Sequence, residues 1–125
     1  ELSGHYYFKE NSFAESSALA VIFIANLVSQ SDKPLSELVA PMQRYFASGE
    51  INSTVADSLL VFDKLRSTYA DADKMELDGL SFEYPTWWFN VRRSNTEPLV
   101  RLNLEAKTKA EMEAKRDEVL AIIRS

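Results

Sequence analysis

The sequence predicts an α+β fold in which an antiparallel sheet carries two helices on one face, with a further helical segment before it. Residues 74–106 contain apolar and polar side chains in alternation, broken by turn residues, which is typical of antiparallel strands. One helical pattern precedes these strands and another follows them. The early run Leu19–Ala25 is apolar on every face of a helix, so it requires a larger body around it.

The first third of the chain is predicted to be mainly helical. Residues 6–8 are expected to form a brief strand or packing segment. Ser12 with Glu15 has the spacing of a capping box, which predicts a helix over Phe13–Ser29. A short second helix is predicted from Pro34, and Pro41 is expected to end or kink it. Residues 43–55 then indicate an extended connector ending in a strand. We place a domain boundary here, with one domain at residues 1–44 and another at residues 45–125.

The second domain begins with a helix over residues 58–69, capped by Asp57. Its apolar side is predicted to consist of Leu59, Leu60, Phe62, Leu65 and Tyr69.

Four strands and a final helix complete the second domain. Asp78-Gly79 predicts a tight hairpin between strands at residues 74–77 and 80–84. Two further strands follow at residues 87–91 and 99–106. A second capping box, Thr108 with Glu111, predicts a helix over residues 110–123. Alternation along the third strand predicts one of Trp87 and Trp88 against the helices and the other on the opposite face.

Composition limits the possible functions. The net charge of −5 argues against a general nucleic-acid binder, which needs a basic surface. The chain has no cysteine and one histidine, so it has no disulfide framework, thiolate metal site or histidine-rich zinc site. The apolar run Ala18–Ala25 is shorter than the roughly 20 residues that span a bilayer. We therefore expect a cytoplasmic protein without nucleic-acid or membrane partners. The start at Glu1 without methionine suggests a fragment.

The richest cluster of polar chemistry lies in Asn90–Pro98, predicted as a loop between two strands. Residues 92–96 contain two guanidinium groups, two hydroxyls and an amide. Such groups can surround a phosphate ester with charged forks, hydroxyl donors and backbone N–H groups. The alternative is a polar hairpin turn whose arginines lie over the tryptophans.

Two motifs together resemble one enzyme family. Glu1-Leu2-Ser3-Gly4-His5 resembles the sugar-specificity loop of the α-D-phosphohexomutase superfamily, Gly-Glu-x-Ser-Gly-His. The segment Arg92–Pro98 resembles its phosphate-binding loop, Arg-x-Ser-Asn-Thr-x-Pro. Leucine at position 2 and asparagine at position 95 favour the phosphomannomutase/phosphoglucomutase branch over the phosphoglucosamine mutases. The order and separation of the motifs also fit, and the resemblance covers essentially the whole chain.

The resemblance implies a four-domain parent enzyme that interconverts hexose 1-phosphate and hexose 6-phosphate, of mannose, glucose or both. The reaction passes through a phosphoserine enzyme and a bisphosphorylated intermediate. The phosphoserine and an aspartate-rich Mg²⁺ loop belong to the first two domains, which this chain does not contain. The chain corresponds to the end of domain 3, an α/β domain, and to domain 4, which has a TBP-like α+β fold. We expect it to bind no metal, to need the missing N-terminal domains as partners, and to be inactive alone.

The resemblance also assigns roles to individual residues. Glu1, Ser3 and His5 would contact sugar hydroxyls, and His5 could instead shuttle a proton or bond loop backbone. The phosphate would be held by Arg92, Ser94, Asn95 and Thr96. Arg93 lies where the family varies, and Glu97 is expected to accept hydrogen bonds from loop N–H groups. The identity of the general acid and base stays open.

Two other functions are compatible with parts of the sequence. A stand-alone α+β binding or regulatory module would need no catalytic residues, but the all-apolar helix argues against it. Binding of single-stranded nucleic acid through the arginines and tryptophans conflicts with the acidic balance.

Overall fold

The computed structural model describes residues 4–94 and 97–125. The chain divides into two compact units, Glu1–Gln43 and Arg44–Ser125. None of the described helices is long and apolar enough to cross a membrane.

The first unit contains a small hairpin and two helices. Strands β1 (Tyr7–Phe8) and β2 (Ala14–Glu15) pair antiparallel, helix α1 spans Ser17–Ser29 and helix α2 spans Leu35–Val39. A 3₁₀ turn at Ala40–Met42, which includes the proline expected to end α2, follows that helix directly.

The predicted start of α1 was wrong by four residues. Ser12 and Phe13 have positive φ angles of 52° and 57°, so neither can begin a helix. They turn the chain between β1 and β2, and the N-cap of α1 is Ser16, whose hydroxyl accepts from the Leu19 N–H at 3.2 Å. Closure of the hairpin therefore overrides the capping-box signal of Ser12 and Glu15.

The second unit is a six-stranded antiparallel sheet with two helices packed on one face. Its strands are β3 (Phe46–Ala47), β4 (Ile51–Thr54), β5 (Asp73–Met75), β6 (Leu80–Glu83), β7 (Trp87–Arg93) and β8 (Leu99–Ala106). They lie in the order β3, β8, β7, β6, β5, and β4 pairs with the other half of β8. Helices α3 (Ser58–Thr68) and α4 (Lys109–Ile123) complete the unit. The predicted α+β class with a mostly antiparallel sheet is confirmed.

Alternation along the central strands separates a buried face from an open one. Side chains of β6, β7 and β8 that point toward the helices are buried, while their neighbours are half-buried or exposed. The core combines Leu80, Phe82, Trp87, Phe89, Val91, Val100, Leu102 and Leu104 with Val61, Phe62 and Leu65 of α3 and Met112, Val119, Leu120 and Ile123 of α4.

Both helices of the second unit have side-chain N-caps. Asp57 Oδ1 accepts from the N–H groups of Leu59 and Leu60 at 2.9 and 3.2 Å, as predicted. Thr108 Oγ1 accepts from the Glu111 N–H at 3.2 Å. A complete capping box would also have the Glu111 carboxylate accept from the Thr108 N–H, and the described contacts do not include that bond. The carboxylate instead accepts from Thr86 Oγ1 at 2.6 Å.

Three further expectations need correction. Leu59 and Leu60 are exposed, because α3 turns Val61, Phe62 and Leu65 toward the sheet. The β5–β6 turn is longer than two residues, since pairing ends at Met75 with Ser81 and leaves Leu77 exposed.

The third correction concerns the candidate phosphate loop. Strand β7 continues through Arg93, so both arginines are strand residues and the loop between β7 and β8 is shorter than predicted. A continuous ladder with β8 extends the strand to this point.

Candidate functional site

Arg92 lies near the end of β7 on the open face of the sheet. Trp87, Phe89 and Val91 point to the helices, so alternation turns Arg92 the other way. Its cross-strand partner on β8 is Arg101. Two like charges directly opposite each other destabilise a sheet unless an anion separates them.

Glu50 supplies that anion. Its Oε2 lies 3.2 Å from Arg92 Nη2 and its Oε1 lies 3.4 Å from Arg101 Nη1, so one carboxylate joins both guanidinium groups. Asp78 Oδ2 is 3.6 Å from Arg92 Nη1. Three of these four side chains are mainly shielded from solvent, while Asp78 is largely exposed. The result is a half-buried charged cluster in which Arg92 has a defined position.

The Asp78-Gly79 turn supports this position from the side of β6. The Asn90 amide nitrogen donates to the Asp78 carbonyl oxygen and to Ser81 Oγ, both at 2.9 Å. Gly79 has a φ of +79°, and a Cβ there would lie 2.9 Å from Arg92 Cα and also meet the Val91 carbonyl oxygen. Only glycine allows the turn to lie this close to β7.

The loop after β7 is held by short-range hydrogen bonds. The Ser94 N–H donates to the Leu99 carbonyl at 2.9 Å, and Ser94 Oγ accepts from the Glu97 N–H at 3.3 Å. Glu97 accepts a hydrogen bond from the Leu99 N–H at 2.7 Å. The accepting atom is the backbone carbonyl oxygen of Glu97. Asn95 and Thr96, both predicted phosphate contacts, lie outside the described residues.

A depression of about 190 Å³ adjoins this loop. The described part of its wall contains Arg93, Ser94, Glu97, Pro98, Leu99, Val55, Ala56 and Ser58. Arg92 is not among these residues, because it points to the opposite face of the strand. The structure thus places Ser94 beside Arg93 in one depression and Arg92 in the Glu50 cluster.

The candidate sugar-contacting residues belong to the first unit. Glu1 and Ser3 lie outside the described residues. His5 is exposed, and its Nδ1 lies 3.9 Å from Glu15 Oε1 at the end of β2. That distance exceeds a hydrogen bond, so His5 has an acidic neighbour without a fixed contact to it.

The two tryptophans lie on opposite faces of the sheet, as the alternation predicts. Trp87 is buried and stacks on Tyr84 with ring centroids 4.8 Å apart. Trp88, half-buried on the other face, donates its indole N–H to Glu105 Oε2 at 3.3 Å. The cation over a tryptophan in the described chain is Lys115, 5.0 Å from the Trp87 ring. Arg92 contacts carboxylates instead of stacking on the tryptophans.

Sequence reasoning missed Glu50, Arg101 and Ser58. Their connection to the predicted loop depends on strand register and on the packing of α3, which no local pattern encodes. Among residues 4–94 and 97–125, no group of three or more histidine, cysteine or acidic side chains could hold a metal ion.

Comparison with known proteins places these features in one family. The family model described as phosphoglucomutase/phosphomannomutase, C-terminal domain, matches residues 50–122. The model of the α/β/α domain III of the same family matches residues 1–45. Together they cover both units of the chain.

Individual relatives agree with the family models. A phosphomannomutase from Methanocaldococcus jannaschii is 43% identical over 123 residues, covering 98% of this chain and 27% of the relative. A phosphomannomutase from Escherichia coli is 40% identical over 128 residues, covering 99% of this chain and 28% of the relative.

A solved structure is also similar. It is the crystal structure of a phosphoglucomutase/phosphomannomutase family protein from Burkholderia thailandensis, with a TM-score of 0.76 and 27% sequence identity. The match covers 98% of this chain and 26% of the Burkholderia chain. The chain therefore spans about a quarter of the length of the relatives it matches. It belongs to the phosphoglucomutase/phosphomannomutase family and corresponds to the C-terminal domain together with part of domain III.

Proposed function

We propose that this chain is the phosphate- and sugar-binding C-terminal part of a phosphohexomutase that interconverts hexose 1-phosphate and hexose 6-phosphate. The substrate is mannose phosphate, glucose phosphate or both. The relatives named phosphomannomutase support this proposal, as do the two family models. The observation that carries it is the run of anion-binding groups where β7 ends, Arg92, Arg93 and Ser94, in a chain that matches a family named for phosphosugar mutases.

The proposed role of Arg92, Ser94, Asn95 and Thr96 is to hold the phosphate that is not reacting. Phosphoryl transfer depends mainly on positioning and electrostatic stabilisation. A guanidinium fork contributes a charge-assisted, bidentate contact, and hydroxyls and N–H groups add further donors. Glu1, Ser3 and His5 are proposed to contact the sugar hydroxyls, which would let the site reject sugars with a missing or displaced hydroxyl.

The groups that break and form the phosphate bonds are proposed to lie in other domains of the parent enzyme. These groups are a phosphorylated serine and a bound Mg²⁺ ion. The described residues of this chain offer no ligand cluster for that ion. We accordingly propose that the 125 residues bind the substrate without converting it. Conversion of mannose 1-phosphate to mannose 6-phosphate by the purified chain would contradict this part of the proposal.

Binding can be tested by titrating the chain with mannose 1-phosphate and glucose 1-phosphate while recording amide NMR spectra. We expect shifts at residues 92–96, with dissociation constants in the millimolar range or below. Arg92→Ala should weaken binding by about 1.5–3 kcal/mol, the usual contribution of a hydrogen bond to a charged group.

A matched control is Arg116→Ala, which removes the same charge from α4, where Arg116 pairs with Asp117 at 2.8 Å. It should leave the affinity unchanged, because Arg116 belongs neither to the Glu50 cluster nor to the described wall of the depression beside the loop. If the wild-type chain shows no shifts with either sugar phosphate at millimolar concentration, the chain has no phosphate site of its own. A non-catalytic α+β module would then be the better description.

A further inference from the structure

The two arginines at the end of β7 differ in what they contact. Arg92 is paired with Glu50 at 3.2 Å and with Asp78 at 3.6 Å, so its charge is already partly compensated. Arg93 points to the other face, where its side chain is exposed. Within the described ranges, no carboxylate lies within ion-pairing distance of Arg93. The motif arginine is thus compensated inside the protein, whereas its neighbour is available for an external anion.

We propose that Arg93 is a phosphate-binding residue in its own right. Its guanidinium and the hydroxyl of Ser58 take a phosphoryl group of a phosphate monoester in the depression beside the loop, which Ser94 also lines. This inference rests on the proposed function and deepens it. It adds a contact at the position of the motif where the family pattern leaves the residue unspecified.

The size and the donor groups of the depression suit a phosphoryl group. Its volume of about 190 Å³ is several times the roughly 30 Å³ that one water molecule occupies in the liquid. A planar guanidinium matches two phosphate oxygens with parallel N–H donors, and the Ser58 hydroxyl adds one donor. Both Ser94 and Ser58 are half-buried, which limits competition from water.

The carboxylates near the depression reduce its affinity for an anion but do not prevent binding. Glu97 lines the same wall and is exposed, so its charge opposes an incoming anion but is screened by solvent. Asp57 lies next to Ser58 in sequence, and its Oδ1 accepts two backbone N–H groups of α3. We expect a contribution from Arg93 that is smaller than that of a buried charge pair and sensitive to salt.

The test is an NMR titration of the full 125-residue chain with inorganic phosphate and, separately, with mannose 1-phosphate. The readouts are the amide signals of Ala56, Ser58 and Ser94 and the side-chain Nε–H signal of Arg93. Arg93→Ala should raise the dissociation constant on the order of fivefold. This loss lies between the loss expected for an exposed ion pair and the loss expected for a shielded hydrogen bond to a charged group. It should also remove the shifts at Ala56 and Ser58.

Two further variants separate charge from geometry and from unspecific effects. Arg93→Lys keeps the charge without the fork, so its affinity should lie between those of the wild type and Arg93→Ala. Arg116→Ala again serves as the charge-matched control and should change neither the affinity nor the shifts at Ser58.

The outcomes distinguish this inference from the proposed function. If Arg92→Ala weakens binding while Arg93→Ala leaves affinity and the Ser58 shift unchanged, the role of Arg93 is refuted and the proposed function stands. If the wild-type chain binds neither probe at millimolar concentration, both fail. Weaker binding in Arg93→Ala with loss of the Ser58 shift, in a variant whose remaining spectrum matches the wild type, supports the inference.

Discussion

At the scale of single residues, Gly79 connects the β5–β6 turn to the position of Arg92. Its φ of +79° lies in the left-handed region, and its Cα faces the backbone of β7 so closely that a methyl group has no space. The neighbouring Asp78 contacts Arg92 through its carboxylate and Asn90 through its carbonyl. One glycine therefore determines how near this turn lies to the candidate site.

We predict that Gly79→Ala lowers the unfolding free energy by about 2–3 kcal/mol, because strain at positive φ adds to a clash with backbone atoms that cannot move away. Gly49→Ala is the matched control. Gly49 has a φ of +67° and nothing within 4 Å of an added Cβ, so only the conformational cost of about 1 kcal/mol should appear. Urea denaturation measures both, and equal losses in the two variants would refute the clash.

At the scale of elements, a partly buried polar contact at the edge of the core joins Tyr69, at the end of α3, to α4. Tyr69 donates its hydroxyl to Glu118 Oε1 at 3.0 Å, and Lys115 donates to the other oxygen at 2.8 Å. Burial raises the pKa of Tyr69 well above its usual value, and the hydrogen bond to Glu118 raises it further. Burial likewise raises the pKa of Tyr84 to about 12, together with its bond to Asp71.

These shifts predict a loss of stability in alkali. An unfolded tyrosine loses its proton near pH 10, whereas Tyr69 keeps its proton in the folded state. The contribution of Tyr69 is therefore complete below pH 10 and declines as the pH rises further. We expect the difference in unfolding free energy between wild type and Tyr69→Phe to narrow from pH 9 to pH 11.

Urea denaturation at several pH values measures this difference. A constant difference between wild type and Tyr69→Phe over the same range would contradict the role of the Tyr69–Glu118 bond.

Helix α1 buries much less of its apolar surface than α3 and α4 do. Val21, Ile22 and Phe23 are 59–66% exposed, and Ala20 is the buried residue of this helix. The β1–β2 hairpin contacts α1 through Phe8, whose ring stacks on that of Phe23 with centroids 5.4 Å apart. Such an apolar helix surface gains little from packing within its own unit, so α1 stays marginally stable by itself.

At the scale of the whole molecule, the two units differ in the size of their cores. The main cluster of buried residues lies entirely in Arg44–Ser125. We predict that amides of β7 and β8 exchange hydrogen only through global unfolding of that unit, while amides of α1 exchange much faster through local opening. Hydrogen exchange followed by NMR measures this. Equal, strong protection in α1 and β7 of a monomeric sample would contradict the prediction.

Local signals were sufficient for many of the elements. Strand β8 begins and ends where alternation predicts, and α3 begins after the predicted cap at Asp57. Local signals failed where two of them competed. Ser12 and Ser16 both precede helical sequence, and only the closure of the β1–β2 hairpin selects Ser16. The length of β7 was likewise set by its pairing with β8, which extends the strand through both arginines.

The sequence by itself determined the fold class, the main strands and helices of the second unit, and membership of the phosphohexomutase family, because each depends on short-range periodicity or on contiguous motifs. Tertiary structure decided which charged groups meet. Glu50, Asp78, Arg92 and Arg101 are far apart in sequence, and strand register brings them together. The period of two along β7 then turns Arg92 and Arg93 to opposite faces. Two adjacent, chemically identical residues thereby acquire different surroundings, one compensated by carboxylates and the other open to an external anion.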